Sequence, residues 1–310
     1  LASSGATVLA VGPDFIEQAR AASARDCAVK SLVWLPGEQP STPPAGMTTM
    51  DDLLDADATP VDTYVDSRDL AQIIYTSGTE SLDMTEGDVM LHALPLYHCA
   101  QLDVYLGPAT YLGATSVIIS QPSPDLILSM IARHGITLFF APPTVWIGML
   151  RSPDFDTTDL SSLKKGYYGA SIMPVEVLLE LQRRLPEVRF WNFYGQTEIA
   201  PVATVLKPED QLRKAGSAGK PALNVETRVV NDAMEDVAVG EVGEIVHRSP
   251  HLLSGYYNNP EKTAEAFRGG WFHSGDLATV DADGYITVVD RMKDMIKTGG
   301  ENVASREVEE

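Results

Sequence analysis

Residues 75–87 read YTSGTESLDMTEG. Thr76, Ser77 and Thr79 place three hydroxyls around Gly78, and Glu80 follows directly. At the end of a strand, such a turn can aim hydroxyls and backbone N–H groups at anionic oxygens, as phosphate requires. The same composition also makes an ordinary polar turn. Asp83 and Glu86 come next, and their charge would repel phosphate. Taken alone, the stretch leaves both readings open.

Other generic chemistry is missing from the sequence. It contains no G-x-x-x-x-G-K-[ST] phosphate loop, no G-x-G-x-x-G dinucleotide fingerprint and no G-x-S-x-G nucleophile elbow. His247 and His251 are separated by Pro250, so they cannot share one helical metal-binding face. DADG at 281–284 has the start of a calcium loop without the rest of it, and reads as a hairpin turn. Cys27 and Cys99 are the two cysteines, far apart, which gives neither a disulfide framework nor metal-ligand spacing. They read as reduced thiols of a cytoplasmic protein.

The 310 residues carry a formal net charge of −20. Such a chain repels nucleic acid and anionic lipid, so nucleic acid is not an expected partner. A polyanionic ligand must then be held by local geometry, backbone N–H groups or a metal ion. No apolar run reaches the roughly 18 residues needed for a membrane span. The longest candidate, 136–145, is broken by Pro142 and Pro143.

The elements that would position such chemistry alternate in type. Strands are expected at Thr7–Val11, Leu70–Tyr75, Ser116–Ser120, Thr137–Ala141 and Val188–Phe193. Helices are expected from about Asp14 to Ala22, from Ser123 to Gly135, and over Pro174–Leu185. The second has Ser123 as N-cap, Pro124 in its first turn and Gly135 as its stop, with Ile127, Met130 and Ile131 on the buried face. This alternation argues for an α/β fold with a parallel sheet. Beyond about Lys207, short strands between Gly, Pro and Asp turns predict a smaller antiparallel β subdomain. Residues 38–62 read as a surface connection.

Four further segments change the weight of the opening loop. YYGAS stands at 167–171, NFYGQTE at 192–198, WFHSGDL at 271–277 and DRMKDMIKTGGEN at 290–302. In this order, and with TSGTES, they resemble the adenylate-forming superfamily over nearly the whole chain. The nearest resemblance is to its fatty acyl-CoA and aryl-CoA ligase branch. It implies the large N-terminal domain of such an enzyme: parallel α/β subdomains over 1–206, a β-rich subdomain over 207–292, and a hinge over 293–310 leading to a C-terminal domain that this sequence does not reach. The family pattern also continues past Ser81 with a Pro-Lys-Gly segment. Here Leu82 runs directly into Asp83, so a segment is expected to be missing after residue 82.

The resemblance also assigns roles. It implies ATP-dependent activation of a small fatty or aryl carboxylic acid to acyl-AMP, then transfer to coenzyme A. The acceptor could instead be an amine or a carrier-protein thiol, and an inactive nucleotide-binding relative is a further alternative. Thr76, Ser77, Gly78, Thr79 and Glu80 match the phosphate loop. Thr197 would bind the α-phosphate and Glu198 would hold Mg²⁺. Asn192, Phe193, Tyr194, Gly195 and Gln196 would flank adenine, with Gly169, Ala170 and Ser171 lying against the base and the acyl group. Asp276 would accept from the ribose hydroxyls, with Arg291 nearby. His98 would gate the acyl pocket, and Trp146 and Phe193 are candidate pocket walls, with core packing the reading favoured for Trp146. Lys293 matches the hinge, and Lys297 the loop after it. An oligomer is compatible with all of this.

Overall fold

The computed structural model describes residues 7–24, 28–35, 42–53, 82–293, 296–298 and 301–303. The expected strand Leu70–Tyr75 and the loop Thr76–Glu80 lie outside these residues. The chain divides into two compact units. The smaller comprises Leu1–Leu70 with Gly255–Pro260. It contains strands β1 (Val8–Val11), β2 (Ser31–Trp34) and β3 (Thr48–Thr49) in one parallel sheet, with helices α1 (Ile16–Ser23) and α2 (Met50–Leu53). The first strand and helix match the sequence reading.

The larger unit is built on a seven-stranded sheet. Its strands are β4 (Val89–His92), β5 (Thr115–Ile118), β6 (Leu138–Phe140), β7 (Lys165–Gly169), β8 (Arg189–Gly195), β9 (Val202–Leu206) and β10 (Lys220–Pro221). The spatial order is β10-β9-β8-β7-β6-β4-β5. Strands β4 to β8 pair in parallel, while β9 and β10 add an antiparallel edge. Adjacent bulky residues serve opposite faces, because successive strand side chains alternate. Leu91, Phe139, Tyr168 and Phe190 enter one core. Met90, Phe140, Tyr167, Trp191 and Phe193 enter the other. Trp146 is fully buried in the first core and donates its indole N–H to the Tyr167 carbonyl at 3.1 Å.

Helices cover these faces. In chain order the larger unit carries α3 (Gly107–Leu112), α4 (Pro124–His134), α5 (Pro143–Arg151) and α6 (Val175–Arg184). Helix α4 starts as read: the Ser123 hydroxyl accepts from the Leu126 N–H at 3.2 Å, and Gly135 ends the helix at φ 61°. Its deeply buried residues are Ile127, Leu128 and Ile131, with Met130 only half-buried against them. A buried stripe at i, i+1 and i+4 brings in Leu128 where the spacing alone pointed to Met130. A π-helical stretch over Ala100–Leu106 leads into α3, and no sequence signal announced it.

Asp83 of the opening stretch is held away from the sheet's C-terminal edge. The Tyr167 hydroxyl donates to the carbonyl of fully buried Leu82 at 2.5 Å. Asp83 follows in the same turn at φ 53° and pairs with Arg189 at 3.0 Å. Lys165 binds the Asp83 carbonyl and pairs with Asp88 at 2.8 Å. Lys165 and Arg189 open β7 and β8, so these contacts mark the N-terminal edge of the sheet.

A second, antiparallel sheet runs β11 (Glu226–Val230), β12 (Gly243–Arg248), β13 (Phe272–Val280) and β14 (Ile286–Arg291) in spatial order. The turn between β13 and β14 is the DADG hairpin, with Gly284 N–H donating to the Asp281 carbonyl at 2.9 Å and Gly284 at φ 80°. Lys214 pairs with both Asp281 and Asp283 at 2.6 Å, so these carboxylates tie down a loop. Strands β15 (Ile296–Thr298) and β16 (Glu301–Val303) form a separate hairpin. The parallel sheet with a smaller antiparallel β region is the fold class expected from the sequence.

Two histidines are enclosed by this packing. His92 is bonded to Ser116 at 3.0 Å and Gln101 at 2.7 Å, and His247 to Thr227 at 3.0 Å. Burial lowers each from the ordinary 6.5 to about 4. The unfolded chain therefore binds more protons than the native state between these values. Stability is full above pH 6.5 and is lost as pH falls toward 4. Each histidine should contribute a slope of about 1.4 kcal/mol per pH unit across that window. Denaturant titrations from pH 7 to pH 4 check this, and a stability flat across the window would refute it.

Candidate active site

In an open parallel sheet, ligands bind outside the C-terminal strand ends, at a point where the strand order reverses. Here the chain goes from β4 to β5 on one side and then returns to β6 on the other. His98 lies in the loop after β4, Gly169 ends β7 and Gly195 ends β8, so most of the expected site residues gather at this edge. β7 and β8 are paired neighbours.

The two glycines are dictated by crowding. A Cβ on Gly169 would lie 2.3 Å from the Phe193 carbonyl oxygen. A Cβ on Gly195 would lie 1.7 Å from the Pro201 carbonyl oxygen. Both are far inside van der Waals contact, so only glycine lets these backbones pass. Beyond Gly169, Ala170 takes the left-handed conformation at φ 65°, and Ala170 and Ser171 are exposed. Beyond Gly195, a short 3₁₀ turn over Thr197–Ile199 presents Thr197 at the surface and Glu198 half-buried. The Glu198 carbonyl accepts from the Leu253 N–H at 2.8 Å, which fixes the turn's backbone.

Thr197 and the His98 loop meet through a residue the sequence reading passed over. The Cys99 thiol donates to the Thr197 hydroxyl oxygen at 3.3 Å, and its sulfur lies 3.9 Å from His98 Nδ1. His98 itself is exposed and accepts from the Ala100 N–H at 3.1 Å.

Asp276 is the most connected of the expected residues, and it is only 4% exposed. The Tyr194 hydroxyl donates to its Oδ2 at 2.7 Å and the Gln196 amide at 2.9 Å. Arg291, its cross-strand partner on β14, places Nε 3.5 Å from Oδ1. Burial and the Asp276 charge hold the Tyr194 phenol protonated, well above its ordinary range. The Tyr194 ring packs on the core of the antiparallel sheet and lies 6.4 Å from the His247 ring. Asn192 donates to the Ser217 carbonyl at 2.9 Å, which fixes its amide plane. Phe193 is buried edge-on to Tyr105 and Tyr167, so it backs the site from the core.

The remaining expected residues separate from this group. Lys293 sits in an exposed turn after β14. Lys297 lies in β15, and its side chain is outside the described residues. Thr76, Ser77, Gly78, Thr79 and Glu80 also fall outside them. Among the described residues no three His, Cys, Asp or Glu side chains converge to hold a metal ion. No described helix is long and apolar enough to cross a membrane.

Known proteins share this fold. The profile of the family described as AMP-binding enzyme matches residues 80–257. A feruloyl-CoA synthase of Amycolatopsis is 37% identical over 276 residues, covering 82% of this chain and 56% of the relative. An indoleacetate–CoA ligase of Aromatoleum aromaticum is 35% identical over 291 residues, covering 86% of this chain and 57% of the relative. The chain thus spans little more than half the length of these relatives. Among solved structures, an anthranilate CoA ligase in complex with anthranoyl-AMP superposes with a TM-score of 0.85 at 26% identity, covering 98% of this chain and 62% of the other. The O-succinylbenzoate coenzyme A synthetase of Bacillus subtilis, in complex with ATP and magnesium ion, gives a TM-score of 0.67 at 32% identity, covering 75% of this chain and 48% of the other. The matched family profile takes in the β4 loop, the two glycine-ended strands and the Thr197 turn, and the chain belongs to the AMP-binding enzymes.

Proposed function

We propose that the complete protein is an AMP-forming acid–thiol ligase. It activates a small carboxylic acid with ATP and passes the acyl group to coenzyme A. The carrying observation is the buried Asp276 carboxylate, set beside the Thr197–Glu198 turn through Gln196 and Tyr194. A carboxylate with two acceptor oxygens suits the paired hydroxyls of a ribose. Gln196 would then serve both as its support and as the link to the α-phosphate turn. With its nitrogen donating to the Ser217 carbonyl, the Asn192 amide has an oxygen that would accept from an exocyclic amino group. The feruloyl-CoA synthase and indoleacetate–CoA ligase relatives support an aryl acid as substrate, with a fatty acid the other class the resemblance implies.

The reaction needs positioning and charge neutralisation more than proton transfer. The substrate carboxylate oxygen attacks the α-phosphorus as the bond to pyrophosphate breaks. The thiolate of coenzyme A then attacks the acyl carbonyl, and AMP leaves. Thr197 orients the α-phosphate through its hydroxyl, with the Cys99 thiol behind it. His98, at the mouth of the β4 loop, borders the reacting carboxylate. Thr76–Glu80 would cradle the outer phosphates, and Arg291 would add a cation beside Asp276. A net charge of −20 makes such local cations and dipoles necessary. With Glu198 as the carboxylate at this turn, a magnesium ion would be held largely by the nucleotide's own oxygens. When bound, it neutralises triphosphate charge. Lys293 and Lys297 would belong to a hinge and the loop after it. A cytoplasmic location would supply both ATP and coenzyme A.

Pyrophosphate release by the full-length protein, given ATP and a panel of acids with and without coenzyme A, tests the reading. Acid-dependent release with thioester formation is expected. Release that yields an amide when an amine is supplied, and no thioester, would reassign the acceptor. No acid-dependent release at all would sink the proposal. Asp276→Ala should raise the KM for ATP by about 10- to 100-fold, the loss of one or two hydrogen bonds to a charged group. An unchanged KM would remove Asp276 from the nucleotide site.

Gly195→Ala should lower kcat/KM by about 100-fold or more, because the new methyl group must displace the Thr197 turn from its place. Steady-state kinetics on soluble variant protein checks this, and wild-type rates would contradict the crowding argument.

A further inference from the structure

Asp276 does not sit on a regular strand. In the β12–β13 pair, Glu244 opposes Leu277 and Val246 opposes His273. One residue, Ile245, therefore faces three, Ser274, Gly275 and Asp276. The extra length forms a bulge, with Gly275 in the left-handed region at φ 71°. A bulge breaks the ladder and leaves backbone groups without strand partners. Here side chains take them up. The Ser274 hydroxyl donates to the Ile245 carbonyl at 2.6 Å and accepts from the Asp276 N–H at 3.0 Å. Glu244 Oε1 accepts from the Gly275 N–H at 3.1 Å, and its Oε2 lies 2.7 Å from His273 Nδ1. The Glu244 side chain is only 12% exposed, so it is committed to this work.

We infer that Glu244 and Ser274 are positioning residues: they hold the bulge in the shape that presents Asp276 to the nucleotide's ribose. The inference rests on the ribose role proposed for Asp276. Their side chains are engaged by the bulge itself. They act through the bulge that carries the Asp276 carboxylate, which the Tyr194 and Gln196 donors also fix. Charge-assisted hydrogen bonds accepted by a largely buried carboxylate are strong enough to set a turn of this kind.

The test uses the full-length protein and compares kcat/KM for ATP with that for 2′-deoxy-ATP and 3′-deoxy-ATP. The wild type should favour ATP, and Asp276→Ala should lose that preference. Glu244→Ala and Ser274→Ala should each reduce the preference by about 10-fold, the size of one hydrogen bond to a charged group. Glu244→Gln keeps an amide oxygen for the Gly275 N–H and should retain most of it. The Asp276→Ala/Glu244→Ala double variant should be no worse than Asp276→Ala alone, since both act on one carboxylate. A purely structural role would lower stability or overall rate and leave the ratio between nucleotides unchanged; that result for both Glu244→Ala and Ser274→Ala overturns the inference. If Glu244→Ala does not fold, Ser274→Ala decides. A wild type with no preference between the nucleotides, matched by Asp276→Ala, would instead overturn the ribose role itself and the inference with it.

Discussion

The arrangement at the C-terminal edge depends on one buried carboxylate. Asp276 belongs to the antiparallel sheet, yet the groups that satisfy it, Tyr194 and Gln196, extend from the end of a strand in the parallel sheet. A buried charge without partners would cost several kcal/mol, so the carboxylate and its donors must be brought together for either sheet to be stable in this place. The two sheets are thereby pinned at one point, which is also where the strand end turns into Thr197 and Glu198.

The sheet edge does its work through close backbone approach. Gly169 and Gly195 end adjacent strands, each pressed against a carbonyl oxygen that leaves no room for a side chain. Behind them, aromatic residues on both faces fill the space: Tyr105, Tyr167 and Phe193 on one, Trp146, Phe139 and Phe190 on the other. Close-packed interiors of this kind resist deformation, so the polar turns above them inherit a fixed position. The acidic residues that follow Leu82 are held at the other edge by Lys165 and Arg189. Their repulsion is directed away from the edge where an anion would be bound.

Much of this could be read in the sequence where the cause is local. Ser123 and Gly135 bracket a helix because one caps its N–H groups and the other adopts a left-handed stop. The DADG turn and the short strands after Lys207 were legible for the same reason: turn chemistry is set by single residues. The π-helical stretch over Ala100–Leu106 was not, because no residue type marks an i→i+5 hydrogen-bond pattern. Leu128 is buried more deeply than Met130, which still packs against the same core, because the helix buries a stripe that periodicity alone does not centre. Cys99 carried no signal, since a lone cysteine has chemistry only once its neighbour is known. Glu244 carried none either: it stands among ordinary strand residues, and its role exists only because a bulge on the next strand leaves an N–H opposite it.

The sequence by itself determined the class of fold, the family and the residue types available for chemistry, because these follow from periodicity, turn residues and ordered motifs along the chain. Only the tertiary structure decided which of those residues meet. Tyr194 and Asp276 are distant in sequence, and no local preference encodes their hydrogen bond. It forms because two separately built sheets place a donor and a buried acceptor at the same point, where each would be costly without the other.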